Sequence, residues 1–263
     1  DTSRASGAGY NRDRHTFTDD NWATKENGVE EPIDDRNRRI YRSYFDAEVL
    51  AANRARNKVL TAAEKRVIAK VTDASVFTGA PLTTAVSKVW SDSTATIVDD
   101  VLAARLKVYD NSGLVPNAIA MSWKTFQNVR VNAQVIDAIE SAGAGSSSTQ
   151  AEINAQILAS VFDVEMVLVA GMVQNTANQG AAASLSGVWP DANVQVMRVP
   201  TTQDIEEPGI GRTFHWAEDG SSPQGVVESY RDETVRSEIV RVRHDVDEKL
   251  LYPEAGYLLT GTA

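Results

Sequence analysis

The 263-residue chain has no cysteine, which excludes a disulfide framework, a thiolate-held metal and a cysteine nucleophile. This absence favours synthesis in a reducing cytosol. Apolar runs are also short. None approaches the roughly 20 residues that span a bilayer, so we expect no membrane partner. The three histidines, His15, His215 and His244, lack metal-ligand spacing, and we expect neither a metal nor a cofactor.

Catalytic motifs are missing as well. The sequence has no Gly-x-Ser-x-Gly elbow, and adjacent carboxylates such as Asp99 and Asp100 would point to opposite faces of a strand. The stretch GAGSSST at 143–149 lacks the preceding strand and the Gly-Lys-Ser/Thr ending of a phosphate-binding loop, so we expect a flexible loop tip there. We predict that the chain is not an enzyme, with a carboxylate-based hydrolase as the alternative of another class.

The chain is short of positive charge, with 26 lysines and arginines against 36 aspartates and glutamates. Its net charge of -10 argues against a dedicated nucleic-acid-binding protein, which would carry a basic face. Residues 34–73 are the exception, because ten basic and six acidic residues occur there. Such a segment can meet acidic surfaces of sister subunits or form i, i+4 pairs on its own surface, and the sequence leaves both interpretations open.

Glycine and proline are absent between Pro32 and Gly79. Because strong helix formers dominate residues 34–73, we predict one continuous helix about 60 Å long there. Strict heptads are missing, which argues against a coiled coil. With a polar notch at Arg56, the apolar residues recur mostly every three or four positions and form one stripe: Tyr41, Phe45, Val49, Ala52, Leu60, Ala63, Val67 and Val71.

Residues 1–15 are rich in Gly, Ser, Asn and Arg and are expected to form a mobile arm. Asn27-Gly28 is a strong signal for a two-residue turn, which predicts a hairpin with strands 17–26 and 29–33. These strands carry few apolar residues, and an isolated hairpin is marginal in water. We therefore expect the hairpin to bind mainly to other subunits, with a plain surface hairpin as the alternative.

The remaining sequence alternates helical and strand patterns, which indicates an α+β fold. A helix is predicted over 96–110, with inward-facing Ile97, Val101, Leu102 and Leu106. Further helices are predicted after the N-cap Ser122 and over 151–162, and residues 171–187 are predicted to form a loop. Strands are predicted at 117–121, 165–170, 188–199, near Thr213, at 239–246 and at 257–259. In the strand 239–246, one largely apolar face holds Val240, Val242, His244 and Val246.

Several short segments follow the basic helix in a characteristic order. They are Trp90 with VDDV at 98–101, SGLVPN at 112–117 before Met121-Ser122, LASVFDV at 158–164 before VLVA at 167–170, and DEKLL at 247–251 before GYLL at 256–259. This order resembles the major capsid proteins of tailed bacteriophages, which share the Hong Kong 97-type shell fold. The resemblance spans roughly residues 15–260.

The resemblance implies an α+β Hong Kong 97-type fold with four parts. An N-terminal arm would occupy residues 1–14 and an extended hairpin loop residues 15–33. A peripheral domain with the long spine helix would comprise 34–115 and 212–250, and an axial domain 116–211 and 251–263. Axial loops would surround the five- or six-fold axis of each capsomer, with these candidate residues: Gly143, Gly145, Ser146 and Ser147.

The resemblance also implies a function. The chain would be a virion protein that assembles with itself as hexamers and pentamers, in the host bacterial cytoplasm, into an icosahedral shell around double-stranded DNA that it does not read. Scaffolding, portal and decoration proteins would be further partners. A bacterial encapsulating nanocompartment, with enzyme cargo in place of DNA, is the main alternative. The subunit-interface candidates are Phe17, Trp22, Asn27, Gly28, Arg38, Arg42, Arg54, Arg241 and Arg243.

Overall fold

The computed structural model describes residues 3, 6, 20–141, 153–178, 180–218, 220 and 222–263. In chain order the helices are α1 Asp35–Tyr41, α2 Ala47–Val71, α3 Gly79–Leu82, α4 Ile97–Ser112, α5 Trp123–Val131, α6 Ala133–Ser141 and α7 Ala155–Val161. The strands are β1 Lys25–Asp34, β2 Thr83–Ala85, β3 Ala118–Ser122, β4 Met166–Ala170, β5 Val173–Asn175, β6 Leu185–Gly187, β7 Asn193–Met197, β8 Gly211–His215, β9 Val226–Asp232, β10 Ser237–Leu250 and β11 Gly256–Thr260.

Strand β10 is the centre of a four-stranded sheet, which we call the long sheet. Along one edge of β10, β1 pairs antiparallel with it, from Lys25 opposite Val246 to Asp34 opposite Ser237. Along the other edge, β9 and then β8 pair with successive parts of the strand. Because side chains alternate between faces, the residues predicted to share a buried face do so: Val240, Val242, His244 and Val246.

Helix α2 lies against this buried face of the long sheet. Asp46 caps its first turn by accepting hydrogen bonds from the backbone N–H groups of Glu48 at 3.0 Å and Val49 at 3.4 Å. Farther along, Ala51 packs with Val240, and Ala55 and Val59 pack with Val242. The helix therefore meets the sheet through small side chains.

The second sheet has five strands in the order β2-β11-β7-β3-β4. Helices α4 to α7 contribute to the larger apolar core around it, in which Ile119 and Met121 of β3 are fully buried. The predicted cap Ser122 is confirmed, because its hydroxyl oxygen accepts a hydrogen bond from the N–H of Thr125 at 3.1 Å. A smaller core, which includes Ile68 and Val71 of α2, joins α2 to this sheet.

The prediction of one continuous helix over 34–73 is wrong. Helix α1 ends at Tyr41, a turn follows, and α2 begins only after Asp46. The physical reason is local, since Asp34 and Asp46 each cap a helix with their side chains. Asp is neutral to unfavourable inside a helix and strongly favoured at its N-cap.

The predicted apolar stripe of the helix is displaced from the observed one. Val49 and Val67 are 56% and 38% exposed, and Tyr41 and Phe45 also face solvent. The buried positions of α2 are Ala51, Ala55, Val59, Ile68 and Val71. Val71 is the one residue of the predicted stripe that is buried, and the contact with the long sheet is made by Ala51, Ala55 and Val59.

The predicted hairpin with its turn at Asn27-Gly28 is also wrong. Both residues lie inside β1, opposite His244 and Arg243 of β10. A side-chain carbon on Gly28 would lie 3.1 Å from the carbonyl oxygen of Val242, so glycine permits a close approach of strands here. Residues 25–34 thus pair with β10 of their own chain, and the contact of Asn27 and Gly28 with a neighbouring subunit stays a prediction.

Smaller differences concern the residues around the five-stranded sheet. In α4, Ala104 and Val108 are buried, whereas Leu102 and Leu106, predicted to face inward, are exposed. Within the predicted loop 171–187, β5 and β6 pair as a ribbon. The strands predicted at 117–121, 165–170 and 257–259 are confirmed as β3, β4 and β11.

Among the described helices, none combines the length and apolar character that a membrane crossing requires.

The predicted division into arm, hairpin loop, peripheral domain and axial domain stays a prediction. Helix α4, which that division placed in the peripheral part, packs with the core of the five-stranded sheet. The arm, residues 1–14, lies outside the described residues apart from Ser3 and Ser6.

The close contact between α2 and the long sheet gives a first test. Replacing the fully buried Ala55 by leucine should lower the free energy of unfolding by about 1–3 kcal/mol, because the added carbons have no space. Leucine at the exposed Asn53, on the solvent side of α2, is the control, and Asn53→Leu should have little effect on the free energy of unfolding. Urea denaturation measures both, and equal stability of the two variants would contradict the packing described.

Candidate assembly surfaces

The outward face of the long sheet carries a charged network that includes two of the predicted interface residues. Glu228 of β9 accepts a hydrogen bond from Arg243 Nη2 at 2.9 Å and one from Arg241 Nε at 3.1 Å. The bond from Arg243, supported by the charges of both arginines, holds the pKa of the Glu228 carboxyl below its usual range. Both arginines therefore have partners in their own chain, and their contact with a neighbouring subunit stays a prediction.

Tyr230 extends this network to β1. Its hydroxyl donates to Glu30 Oε1 at 3.1 Å, and the Arg241 guanidinium lies 5.3 Å from the centre of its ring. The bond to Glu30 raises the pKa of Tyr230. Loss of the phenol proton would break this hydrogen bond and place a negative phenolate beside the negative carboxylate. These contacts fix the outward face as an ordered charged surface.

The opposite face of the long sheet holds a partly buried ion pair. Arg66 of α2 binds Glu248 of β10 with two nitrogens, Nη2 at 2.8 Å from Oε1 and Nε at 3.0 Å from Oε2. Arg66 Nη2 also lies 3.4 Å from Nε2 of His244, whose Nδ1 lies 3.1 Å from the Pro223 carbonyl. The cluster links the helix, the central strand and the segment before β9.

The first residues of the continuously described chain lie on the long sheet. The Trp22 ring stacks on Phe214 of β8 with centroids 4.8 Å apart, and the side chain of Lys249 binds Asp20 and the carbonyl of Asn21. Trp22 remains 46% exposed. Of the predicted interface residues in this region, Phe17 lies outside the described residues, and the role of Trp22 between subunits stays a prediction.

The turn between α1 and α2 exposes apolar side chains among arginines. Ile40, Tyr44 and Val49 are 52%, 81% and 56% exposed. Arg38 binds Glu48, whereas Arg42 and Arg54 have no ion-pair partner within the described part of the chain. This surface is a candidate contact for another protein, and that role stays a prediction. The predicted contact residues Arg38, Arg42 and Arg54 lie around it.

Helix α4 has a second exposed apolar surface, which the sequence interpretation missed. Leu102, Leu106 and Tyr109 follow each other at i+4 and i+3, on one side of the helix, and are 48%, 54% and 54% exposed. The opposite side, with Val101, Ala104 and Val108, is buried. Both stripes have helical spacing, so periodicity could show that α4 has two apolar sides but not which of them is buried within the subunit.

An apolar groove of about 480 Å³ separates the two sheets. Its walls include Val67 and Val71 of α2, Leu168 of β4, Trp189 and Ile210.

The predicted axial residues Gly143, Gly145, Ser146 and Ser147 lie outside the described residues, so their position at a capsomer axis stays a prediction. Among the residues that the structure describes, no cluster of His, Asp and Glu could hold a metal ion.

Comparison with known proteins identifies the fold. No family model and no curated protein matches the sequence. A phage-related protein from Bordetella bronchiseptica RB50 has a TM-score of 0.69 at 22% identity, over 92% of this chain and 76% of that one. The capsid of cyanophage P-SCSP1u has a TM-score of 0.57 at 11% identity, over 97% and 80%. The chain has the phage capsid fold.

The Hong Kong 97-type fold predicted from the sequence is thereby confirmed. The encapsulin SrpI of Synechococcus elongatus PCC 7942 is also similar, with a TM-score of 0.50 at 8% identity over 90% of this chain and 74% of that one. The same fold therefore also occurs in an encapsulin.

The partly buried ion pair predicts a clear stability effect. Arg66→Ala should destabilise the subunit by about 1–3 kcal/mol, because it leaves the largely buried Glu248 carboxylate without its partner. The double variant Arg66→Met/Glu248→Leu should regain most of that stability, since neither charge remains. Lys65→Ala, at the exposed neighbouring position, is the control. Urea denaturation of the wild type and the three variants is the measurement. If Arg66→Ala is as stable as the wild type, the ion pair does not stabilise the subunit.

A second prediction concerns the pH dependence of stability. Hydrogen bonds from Thr201 and Thr202 lower the pKa of Glu207 to about 2 from its ordinary 4.5. Since the folded pKa is the lower one, the ionised carboxylate stabilises the fold above pH 4.5, and this contribution disappears as the pH falls towards 2. Glu207→Gln should therefore be less stable than the wild type at pH 6 and converge with it near pH 2. A stability difference that is the same at every pH in urea titrations would refute the assignment.

Proposed function

We propose that this chain is the major capsid protein of a tailed phage. Its copies would assemble as hexamers and pentamers into a closed icosahedral shell that encloses double-stranded DNA without sequence readout. The observation that carries the proposal is the fold, since at least nine-tenths of the chain matches both the phage-related protein and the cyanophage capsid compared above. The exposed apolar surfaces on the α1–α2 turn and on α4 support it, because a shell subunit covers such surfaces with neighbouring copies.

The charge of the chain agrees with this role. A net charge of -10 gives the subunit little attraction for DNA phosphates, so the packaged genome could leave the shell again. The partners of the chain would be other copies of itself, the enclosed DNA, and scaffolding, portal or decoration proteins. The assembled protein would be a virion component made in the host bacterial cytoplasm.

A nanocompartment shell is the second candidate, supported by the similarity to the encapsulin. The hydrolase considered from the sequence gains no support from the carboxyl groups. Asp100 has a pKa raised by burial, as catalytic acids often have, but its Oδ2 accepts a hydrogen bond from Trp90 Nε1 at 3.0 Å within the core. This contact gives Asp100 a structural role.

The proposal predicts that purified protein forms closed megadalton particles. Sedimentation velocity and electron microscopy of the same sample would show them, with fivefold and sixfold rings on their surface. Only monomers or dimers under every assembly condition tried, or a small species with hydrolytic turnover, would refute the proposal.

The content of native particles separates the two shell functions. Particles isolated from the host should protect double-stranded DNA from added nuclease if the chain is a phage capsid protein. A nanocompartment would instead contain a cargo protein and no protected genome.

A further inference from the structure

Residues 201–207, here called the Ile205 loop, are unusually well ordered by hydrogen bonds for a surface loop. Both carboxylate oxygens of Glu207 accept, with Oε1 bound to the N–H and hydroxyl of Thr201 at 2.9 Å each. Oε2 is bound to the N–H and hydroxyl of Thr202 at 2.6 and 2.7 Å. The Glu207 carboxylate, at the end of the loop, thus holds the first two residues of the loop in place.

Arg212 of β8 holds the same loop from the other side. Its guanidinium donates to the carbonyl of Thr202 at 3.0 Å, to that of Glu207 at 2.9 Å, and to that of Asp204. At the tip, Ile205 is 64% exposed and stands between Asp204 and Glu206. The loop therefore presents one apolar side chain between two acidic residues in a fixed conformation, which lowers the entropy cost of binding.

A pocket of complementary character lies at the N-terminal end of α2, and we call it the α1 pocket. It has a volume of about 330 Å³. The buried Ile33 and Ala51 contribute to its lining, and so do the rings of Tyr41 and Phe45, which stack with centroids 5.4 Å apart. Arg38 and Arg54 line the pocket together with Glu31 and Asp34, and Arg39 and Arg42 line the adjoining depression together with Asp46. Each of these carboxylates is engaged in its own chain, because Glu31 binds Lys58 and the two aspartates cap α1 and α2.

The loop and the pocket cannot meet within one chain. Arg212, which anchors the loop, pairs with Lys249 near the end of β10, whereas Pro32 of the pocket pairs with Ile239 near its beginning. Ten residues of extended strand separate these positions, which is about 33 Å. The two surfaces can therefore be matched only between copies.

We propose that the Ile205 loop of one copy docks into the α1 pocket of a second copy. Ile205 enters the apolar pocket, and Asp204 and Glu206 face the surrounding arginines. Because the two matched surfaces are different, the contact is head-to-tail and generates rings when its rotation closes. This inference rests on the proposed function and gives its ring-shaped capsomers a specific contact.

The same arginines could in principle bind phosphate groups of DNA. The apolar lining between them favours a protein side chain, because a phosphate gains nothing from Ile33, Tyr41 and Phe45. The charges are also complementary to an acidic element that the chain itself provides. A second copy is therefore the occupant that the residues favour.

Charge reversal tests the contact with assembly as the readout. Glu206→Arg alone and Arg39→Glu/Arg42→Glu alone should each slow assembly about ten-fold, because like charges then face each other and electrostatic steering is lost. The combination of all three changes in one chain should recover most of the wild-type rate. The recovery should shrink in 1 M salt, where the screening length is about 3 Å. Light scattering follows the assembly.

The controls separate this inference from the proposed function. Glu140→Arg reverses a charge on the exposed side of α6 and should assemble at the wild-type rate. Ile205→Ser should slow assembly in high and low salt alike, and unfolding curves of every monomer should match the wild type. If the wild type forms particles and Glu206→Arg assembles normally, the docking is wrong while the capsid function stands. If only the arginine changes act, and they lower DNA retention, the pocket is a phosphate site.

Discussion

The subunit depends on one strand with two different faces. Over 14 residues, β10 presents Val240, Val242 and Val246 to helix α2 and Arg241 and Arg243 to the outside. Strand β1 covers one edge of β10, and β9 and β8 cover the other. Because the side-chain period of a strand is two, a one-residue shift of β10 against its neighbours would turn Arg241 and Arg243 towards α2. The alternating sequence of β10 thereby fixes the register of the whole long sheet.

The contact between β10 and α2 is apolar at one end and ionic at the other. Ala55 and Val59 meet Val242, and two turns farther along, Arg66 meets Glu248. An apolar contact alone tolerates sliding of the helix, whereas a bidentate ion pair is satisfied at one position. We infer that Arg66 sets the position of α2 along the sheet. A buried charge pair that defines one arrangement is a known use of such pairs, even where it adds little stability.

The apolar side chains left exposed follow the same architecture. Helix α2 turns Ala51, Ala55 and Val59 towards the sheet, so Val49 and Val67, on its other sides, remain exposed. Helix α4 likewise buries Val101 and Val108 and exposes Leu102 and Leu106. A chain with two cores and two further apolar stripes has more apolar surface than its own fold can cover. Under the proposed function, neighbouring copies cover the remainder.

Features that depend on neighbouring residues in the chain were predictable from the sequence. The cap at Ser122, the alternating faces of β10 and the strands β3, β4 and β11 follow from local backbone geometry and periodicity. The order of such segments was sufficient to predict the capsid fold, whereas the role of Arg38, Arg42 and Arg54 between subunits stays a prediction. The tertiary structure alone decided what depends on distant partners. Asn27-Gly28 forms a strand because β10 lies beside it, and α2 buries alanines because the sheet comes close; local sequence carries no record of either neighbour.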